Sequence, residues 1–318
     1  MKETYISDLS YALGPLSATV EETAKKGLFV SNASVLKEAG FEKHYVSDSQ
    51  ITAYDLAREA VKKIDAETLK KVDVIFYSTC IPINSNLGSD SVFQKTRDVK
   101  HLMDFPASHL QSDFGLENAS VIGICQEACT GVLGAMRLAK ALIQSEPDVH
   151  TALCLTADRF PEGALYEQSY NVISDGAAAC LISDIPSGFK IVSSHAVTNG
   201  ALSQATDDES VGAFFNYAHK TIQESLKKAS LQIQDIAWIV PQNTNAKAWQ
   251  ILSSLLKFDF KKVYFPTLSE MGHMISGDNI LNLKSLLDNH LAKKGERVLL
   301  FMAGYGLHWQ CVILEKVS

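Results

Sequence analysis

The chain repeats one order of predicted elements, and this repetition is the feature that most constrains its fold. The first part contains a helix-like stretch, a strand, a strand–turn–helix unit and a further strand at 53–63, 72–78, 121–143 and 151–157. The second part contains the same series at 215–228, 236–242, 263–288 and 298–304, with 298–304 predicted as the last strand. Strands that alternate with helices favour α/β layers, here with a largely parallel sheet in each half.

The two halves are predicted to form one compact body. No Gly/Ser-rich or Pro-rich linker separates them, and the pattern is interrupted only by IPSG at 185–188. We therefore place the boundary between an N-terminal half, 1–185, and a C-terminal half, 186–318. A duplicated α/β chain of this kind is expected to pack as two pseudo-symmetric layered halves.

Cys129 lies where the first strand–turn–helix unit passes from turn to helix. Unpaired N–H groups and the helix dipole favour an anion at that position, and a thiolate is the nucleophilic form of cysteine. Small neighbours, Ala128, Thr130 and Gly131, leave room for an acyl group. The alternative is one more buried cysteine in an apolar element.

Duplication makes the turns around Cys129 and His273 equivalent. Both follow strands, and open α/β sheets place ligands at the carboxyl ends of their strands. A pseudo-twofold axis between the halves would bring the two turns face to face. The order of elements alone therefore predicts a Cys–His pair.

Composition excludes several other classes of protein. Hydrophobic residues make up 46% of the 318 residues and charged residues 20%. No apolar run is long enough for a membrane-spanning helix, and no secretory signal is visible. The formal net charge of −7, with no dense basic run, argues against nucleic-acid binding. Six cysteines in mostly apolar runs fit a reducing cytoplasm, and no second Cys/His pair at zinc spacing accompanies Cys125 and Cys129. We expect a cytoplasmic protein with no metal and no membrane segment.

Six segments in order carry a family resemblance: EAGFEKHYV, ICQEACTG, ISDGAAACLI, VPQNTN, MGHMISGD and GYGLHW. The chain resembles the thiolase superfamily, most closely the ketoacyl-acyl-carrier-protein synthase III branch. The resemblance implies a duplicated thiolase-like αβαβα fold, with Cys129 as the acyl-accepting nucleophile. It also implies an oxyanion hole from the backbone N–H groups of Cys129 and Gly306, and acyl-carrier-protein or coenzyme A thioesters as substrates without a tightly bound cofactor. A dimer is implied too, with 93–109 as the candidate interface.

Two positions depart from that branch, which usually has His at the place of Gln242 and Asn at the place of His273. His273 is then the group expected to accept the Cys129 proton and return it to a leaving thiol. Gln242, or nearby Asn243 or Asn245, is expected to donate hydrogen bonds to a thioester carbonyl. Decarboxylation of a malonyl group, which in the family uses both a His and an Asn donor, is left open by this exchange.

Two further residues are candidates for supporting roles. Glu127, two residues before the nucleophile, is either a second base or a salt-bridged carboxylate. His308, two residues after Gly306, is a secondary candidate.

The expected acyl donor is a carrier protein, or coenzyme A bound in a specialised mode. Members of the branch that use acetyl-coenzyme A carry Trp and Arg near the segment that aligns with Ser34 and Glu38, and neither is present here. Four lysines are candidates for a basic rim that meets the acidic helix of a carrier protein, although solvated surface lysines are the simpler interpretation: Lys247, Lys257, Lys261 and Lys262.

Three functions remain open from the sequence. The first is condensation of an acyl group on Cys129 with a malonyl or β-keto thioester, as in fatty-acid-like or polyketide and other specialised-metabolite biosynthesis. The second is acyl transfer to a hydroxyl or amine, which needs no enolate. The third is a partner subunit of a heteromeric ketosynthase, so the dimer is either a homodimer or a heterodimer with a related subunit; the intact Cys129 argues against a purely non-catalytic role.

Overall fold

A computed structural model describes residues 2–169, 171–205, 207–304 and 308–318, without the side chains of 203, 204 and 207–211. Within these residues the strands are β1 Tyr5–Leu13, β2 Leu16–Thr19, β3 Lys43–Val46, β4 Val74–Ser78, β5 Ser120–Ile124, β6 Thr151–Asp158, β7 Glu167–Gln168, β8 Asn171–Val172, β9 Gly176–Ser183, β10 Phe189–Thr198, β11 Ile236–Pro241, β12 Arg297–Gly304 and β13 His308–Lys316. The α-helices are α1 Val20–Lys25, α2 Ala33–Glu38, α3 Ala53–Val61, α4 Ala66–Leu69, α5 Asp90–Thr96, α6 Pro106–Asp113, α7 Gly131–Ser145, α8 Asp207–Lys228, α9 Ala246–Leu256, α10 Leu268–Met271 and α11 Asp278–Asp288.

Nine of these strands pair in the order β11-β12-β13-β10-β1-β9-β6-β4-β5. In the first half, β5, β4 and β6 run parallel, whereas β9 is antiparallel to both β6 and β1. The second half repeats this arrangement, with β11 parallel to β12 and with β13 antiparallel to both β12 and β10. Only a short antiparallel pairing of Tyr5 with Lys190 and Ile6 with Phe189 joins β1 to β10. The halves are therefore pseudo-symmetric.

Helices lie on both sides of each half. Helix α3 packs on β1, β6 and β9, and α6 packs on β4 and β5, so both cover the outer face of the first half. Helix α8 packs on β10, β12 and β13 and is backed by α9 on the outer face of the second half. Helices α7 and α11 each contact strands of both halves. This places them in the middle layer and gives the αβαβα order, as the resemblance implies.

The core divides along the same layers. One apolar cluster surrounds α7 and α11 between the two halves, and one lies under each outer helical layer. Strands β4, β6 and β9 are buried along their whole length, which explains their continuous apolar sequences. The Cys129 turn follows edge strand β5 and leads into α7, so this central layer fixes its position.

Three expectations about the sheets are wrong. The halves are mixed rather than largely parallel, because β1, β9, β10 and β13 run antiparallel to their neighbours. Strand β12 is not the last, since β13 follows it as a long hairpin partner. The strand expected at the start of 263–288 is reduced to one bridge, in which Val263 pairs parallel to Ile239. That bridge occupies the place that β5 holds in the first half.

No helix among the described residues is long and apolar enough to cross a membrane.

Candidate active site

Cys129 is buried in a 3₁₀ turn, Ala128–Thr130, immediately before α7. Ala128 has φ +47°, a left-handed conformation that residues other than glycine rarely adopt. Backbone strain of this kind persists only where the surrounding structure enforces it, and it concentrates at functional sites. The thiol therefore sits on a sharp turn at the N-terminus of a fifteen-residue helix, where the helix dipole favours a thiolate.

The second half contains the same turn. Residues Ile275–Gly277 form a 3₁₀ turn immediately before α11, and Ile275 also has φ +47°. Ser276 therefore occupies the position that Cys129 holds in the first half. Its hydroxyl donates a hydrogen bond of 2.6 Å to the backbone carbonyl of Cys129, so the two turns are tied directly to each other.

His273 is fixed by the first half of the chain. Its N–H donates to Val172 at 2.8 Å, and its carbonyl accepts from the N–H of Ser174 at 2.9 Å. Gly272 precedes it with φ +62° and ψ −160°, a region used essentially by glycine alone, and an added Cβ would lie 2.8 Å from the carbonyl oxygen of Val172. The imidazole is thereby held in a buried position.

The structure brings Cys129 and His273 together. The His273 imidazole lies close enough to the Cys129 thiol for the two to interact, and its Nδ1 contacts Oδ2 of Asp278. Burial by itself lowers the pKa of His273, but the Asp278 carboxylate and the Cys129 sulfur outweigh it and raise that pKa to about 10. At neutral pH this arrangement favours an imidazolium beside a thiolate.

Asp278, the first residue of α11, is the site residue that sequence reasoning missed. It is completely buried, and its carboxylate accepts from the N–H groups of Asn243 and Met274 at 2.7 Å as well as contacting His273. A carboxylate bonded to Nδ1 fixes the ring tautomer and turns Nε2 toward the thiol. An acid at the start of a helix is common for dipole reasons alone, so the sequence offered no separate signal.

Gln242 and Asn243 differ in what remains available to a ligand. The side-chain oxygen of Gln242 accepts a hydrogen bond from the N–H of Ala303. The amide N–H₂ group is therefore the end of this side chain that remains to donate to a ligand. Asn243 donates both amide hydrogens, to Thr267 and Gly272 at 2.8 Å. Its side-chain oxygen accepts from Asn282, and its backbone N–H donates to Asp278. Asn243 therefore helps to position Asp278 and has no amide hydrogen left for a thioester carbonyl.

Asn245 and His308 have local partners. Asn245 caps α9, with its side-chain oxygen accepting from the N–H of Lys247 at 2.9 Å. His308 begins β13, and its Nδ1 is 3.0 Å from the hydroxyl of Thr198. The described side-chain partners of both residues thus lie outside the group formed by Cys129, His273 and Asp278.

Glu127 has no salt bridge in the described structure; it is hydrogen-bonded beside the nucleophile. Its carboxylate accepts from the amide of Gln310 at 2.7 Å, and that amide also donates to Thr130 at 3.1 Å. The carboxylate lies over Gly134, where an added Cβ would be 1.7 Å from Oε2. Glu127 and Gln310 therefore join the first turn of α7 to β13.

Gly306, predicted for the oxyanion hole, lies outside the described residues. Gly304, at the end of β12, comes close to the other predicted donor: an added Cβ there would lie 3.3 Å from the backbone nitrogen of Cys129. A side chain at this position would be crowded by the nucleophile turn, so glycine suits the close approach of β12.

A second thiol lies beside the nucleophile. The Sγ atoms of Cys80 and Cys129 are 3.8 Å apart, and the hydrogen bond between them together with burial raises the pKa of Cys80. Buried Asp158 accepts from the N–H groups of Cys80 and Ile81 and from the side chain of Asn84, at 2.9 to 3.0 Å. Burial raises the pKa of Asp158 to about 7 despite these donors.

No group of three or more His, Cys, Asp or Glu side chains in the described part of the chain is arranged to hold a metal ion. The site consists of a buried thiol, an imidazole and a carboxylate at the junction of two halves. Fold and site together define a thiol-dependent enzyme of the thiolase fold.

Comparison with known proteins gives the family. A model of 3-oxoacyl-[acyl-carrier-protein] synthase III matches residues 125–200, and the model of its C-terminal region matches 226–316. A beta-ketoacyl-[acyl-carrier-protein] synthase III of Chlamydia caviae is 25% identical over 293 residues, covering 82% of each chain. The chain belongs to the 3-oxoacyl-[acyl-carrier-protein] synthase III family, and the prediction of a ketosynthase-type acyltransferase is confirmed.

Solved structures confirm the fold. The synthase III of Aquifex aeolicus matches with a TM-score of 0.79 at 17% identity, over 98% of this chain and 99% of that one. The acyltransferase ChlB3 matches with a TM-score of 0.81 at 16% identity, over 99% of this chain and 98% of that one.

Proposed function

We propose that the protein accepts an acyl group as a thioester on Cys129 and condenses it with a malonyl or β-keto thioester. The observation that carries this proposal is the placement of the buried Cys129 thiol, at the start of a helix, beside a His273 that contacts Asp278. The names of the curated relatives, beta-ketoacyl-[acyl-carrier-protein] synthases, support the same reaction class.

The first half-reaction follows from the charge distribution. The Cys129 thiolate attacks the carbonyl carbon of the incoming thioester, and the negative charge develops on the carbonyl oxygen. The Cys129 N–H, at the start of α7, is a donor for that oxyanion, with the predicted second donor at Gly306. His273 then gives its proton to the departing thiol, which leaves an acyl-enzyme.

The second half-reaction uses the groups that then remain. His273, now neutral at Nε2, and the amide N–H₂ of Gln242 are the side-chain donors and acceptors proposed for the acceptor thioester. Loss of carbon dioxide from a malonyl group would generate an enolate, whose carbon attacks the Cys129 thioester. Asn243 supports this step only through Asp278, because its own amide is fully engaged.

A second function is acyl transfer to a hydroxyl or amine. The specific observation that favours it is the commitment of Asn243, which reduces the donors available to an enolate oxygen. Transfer to a heteroatom needs only deprotonation of the acceptor, a task for neutral His273. The fold match to an acyltransferase is compatible with both reactions.

We propose an acyl carrier protein as the donor. The candidate rim lysines Lys247, Lys257, Lys261 and Lys262 are all exposed on and after α9. Lys247 lies 3.5 Å from Glu38, which reduces its free charge. The other three have no acidic partner within salt-bridge distance among the described residues, so they supply most of the positive charge that an acidic helix would meet.

We also propose that a second copy of the chain pairs with the edge of the sheet at β5. Among the described residues this strand has only β4 as a neighbour, and Val121 and Ile122 on it are each 37% exposed. The 93–109 segment adds exposed Val99, Met103 and Phe105. An open apolar edge is a natural site for strand pairing, and Val121→Lys should shift the mass measured by light scattering from dimer to monomer. A dimer found only with a related ketosynthase subunit would replace the homodimer.

The remaining assignments follow the sequence. We propose a cytoplasmic protein, on the basis of its cysteine usage. A role in fatty-acid biosynthesis fits the family. Because His and the amide are exchanged at Gln242 and His273, a polyketide or other specialised product also stays a prediction.

Intact mass spectrometry tests the reaction directly. Wild type, Cys129→Ala and the thiol control Cys125→Ala are exposed to a panel of acyl-carrier and acyl-coenzyme A thioesters, and then to a malonyl thioester. We expect an acyl adduct on wild type and Cys125→Ala only, released by malonyl thioester with loss of carbon dioxide. An adduct that persists until a hydroxyl or amine acceptor is added would select the second function. No adduct from any donor would refute both.

A further inference from the structure

Cys80 carries a partly buried thiol that the proposed acyl chemistry does not use. It lies two residues after the end of β4, and its Sγ is 3.8 Å from that of Cys129. A disulfide bond is about 2.05 Å long, so the two sulfur atoms must approach by a little under 2 Å to form one. The two residues come from different elements, 49 positions apart in the chain, so their contact is a product of the fold.

The backbone at Cys80 is held firmly in this position. Asp158, buried at the end of β6, accepts hydrogen bonds from the N–H groups of Cys80 and Ile81 and from Asn84. Cys129 is held from the other side by the hydrogen bond of Ser276 to its carbonyl. Hydrogen bonds to the backbone of each residue thus keep the two thiols next to each other, as two cysteines that form a disulfide require.

The surroundings also favour oxidation at Cys129 before Cys80. Cys129 lies at a helix N-terminus against His273, both of which favour its thiolate, whereas Cys80 is favoured as the protonated partner in their hydrogen bond. Thiolates react with peroxides, and a sulfenic acid next to a thiol condenses to a disulfide. The other three buried cysteines, Cys154, Cys180 and Cys311, lie within sheet strands.

We propose that Cys80 is the resolving cysteine of a reversible redox site whose oxidant is a hydroperoxide. The Cys129 thiolate attacks the peroxide, the O–O bond breaks, one oxygen forms Cys129–SOH, and the other leaves as an alkoxide or hydroxide that takes a proton from His273. The Cys80 sulfur then attacks the Cys129 sulfur, the S–S bond forms, and the S–O bond breaks. Hydroxide leaves with the Cys80 proton as water. Two thiols are oxidised by two electrons and one peroxide is reduced.

The consequence is protection of the nucleophile. A disulfide removes the Cys129 thiolate from acyl transfer, but a dithiol restores it by exchange, whereas sulfinic and sulfonic acids do not return by this route. Disulfide formation does not require Cys129 to carry acyl groups; only the accompanying loss of acylation rests on the proposed function.

The test compares wild type with Cys80→Ser and with the control Cys125→Ser. Each is treated with hydrogen peroxide, blocked with N-ethylmaleimide and digested with trypsin without reduction. Cys80 lies in the tryptic peptide 72–95, and Cys125 and Cys129 share the peptide 101–137. We expect wild type and Cys125→Ser to lose two hydrogen atoms and to yield these peptides linked. Cys80→Ser should gain oxygen atoms at Cys129.

Recovery after dithiothreitol completes the test. Wild type and Cys125→Ser should regain most of the reactivity of Cys129 toward an alkylating reagent, and Cys80→Ser little of it. Absence of the 72–95 to 101–137 link in wild type, its absence in Cys125→Ser, or equal recovery in Cys80→Ser would overturn the proposal. If the link forms but no acyl donor modifies Cys129, the proposed function fails while the redox site stands.

Discussion

Replacing Asp278 by Asn removes the negative charge that keeps His273 protonated. Burial alone acts to lower the pKa of His273, yet that pKa is raised from the ordinary 6.5 to about 10, with Asp278 as the leading favourable cause. Removing one partner of a buried ion pair typically costs about 3–5 kcal/mol. At about 1.4 kcal/mol for each factor of ten, the population of the thiolate–imidazolium pair should fall by about two to three and a half orders of magnitude.

The rate of Cys129 alkylation by iodoacetamide measures this population without any assumption about the natural substrate. In wild type the rate should be nearly independent of pH across the neutral range, because the thiolate is already formed. In Asp278→Asn the alkylation rate near pH 7 should be lower by up to about a hundredfold. It should rise as pH approaches the ordinary thiol pKa of about 8.5 or above.

The matched control is Asp175→Asn. Asp175 is also fully buried and accepts from the N–H groups of Ser47 and Phe160, but it does not contact His273. Both variants should lose stability, and only Asp278→Asn should change the pH profile of alkylation. Identical profiles for Asp278→Asn and wild type would refute the idea that Asp278 charges His273.

The same shift predicts how stability depends on pH. His273 has a higher pKa in the folded protein than its ordinary 6.5. The folded state therefore holds a proton that the unfolded state has lost between these values. The imidazole's contribution to the free energy of unfolding is complete below about pH 6.5 and is lost as pH rises through about 10. Because Cys129 is a thiolate in the folded state and an ordinary thiol of pKa about 8.5 in the unfolded state, the proton that it loses offsets the one on His273 below about pH 8.5, and the net loss of stability is expected from about pH 8.5 to 10. Asp278→Asn should flatten urea-unfolding free energies measured across this window.

Three further predictions concern other contacts of the site. Gly272→Ala should lower the free energy of urea unfolding by about 3 kcal/mol, because it adds a backbone clash to a glycine-only conformation. The control Gly27→Ala, with φ +70° and open space, should cost only about 1 kcal/mol, and equal losses would contradict the clash. Gly134→Ala should displace the Glu127 carboxylate and cost about 1–2 kcal/mol, which adding Glu127→Ala should largely recover; simple additivity in the double-mutant cycle would show that the two do not interact. Asp158, whose pKa burial raises to about 7, should make stability fall by up to about 1.4 kcal/mol per pH unit from about pH 4 to 7, since the folded state keeps the proton. Asp158→Asn should remove that slope, and an unchanged slope would contradict the shift.

The order of elements could be read from the sequence because buried strands and amphipathic helices leave strong periodic signals. That order also predicts the contact between Cys129 and His273, because it makes their two turns equivalent. Strands β1 and β13 were not predicted, because β1 alternates irregularly and both strands take their place from partners distant in the chain. Strand direction likewise depends on pairing, which no local pattern reports.

The polar contacts of the site were much harder to predict. Asn243 and Asn245 look equivalent in the sequence, yet one anchors Asp278 and the other caps α9. Which amide hydrogens are already used is a property of partners that lie 24 or more residues away, such as Thr267 and Gly272. Residue type and spacing therefore identified the region of the site but not the division of roles within it.

The duplication explains how the thiol and the carboxylate come to lie on equivalent turns of different halves. Cys129 and Ser276 occupy the same strained turn in the two halves, and Gly131 and Asp278 the same first helical position after it. A Cβ at Gly131 would lie 2.9 Å from the Cβ of Ser78, so the first half has no room for an acid at that point. The second half has room, and its acid charges the imidazole that faces the thiol of the first. The catalytic site thus depends on a difference between two equivalent turns, with the thiol on one, the carboxylate on the other, and the Ser276 hydroxyl joining them.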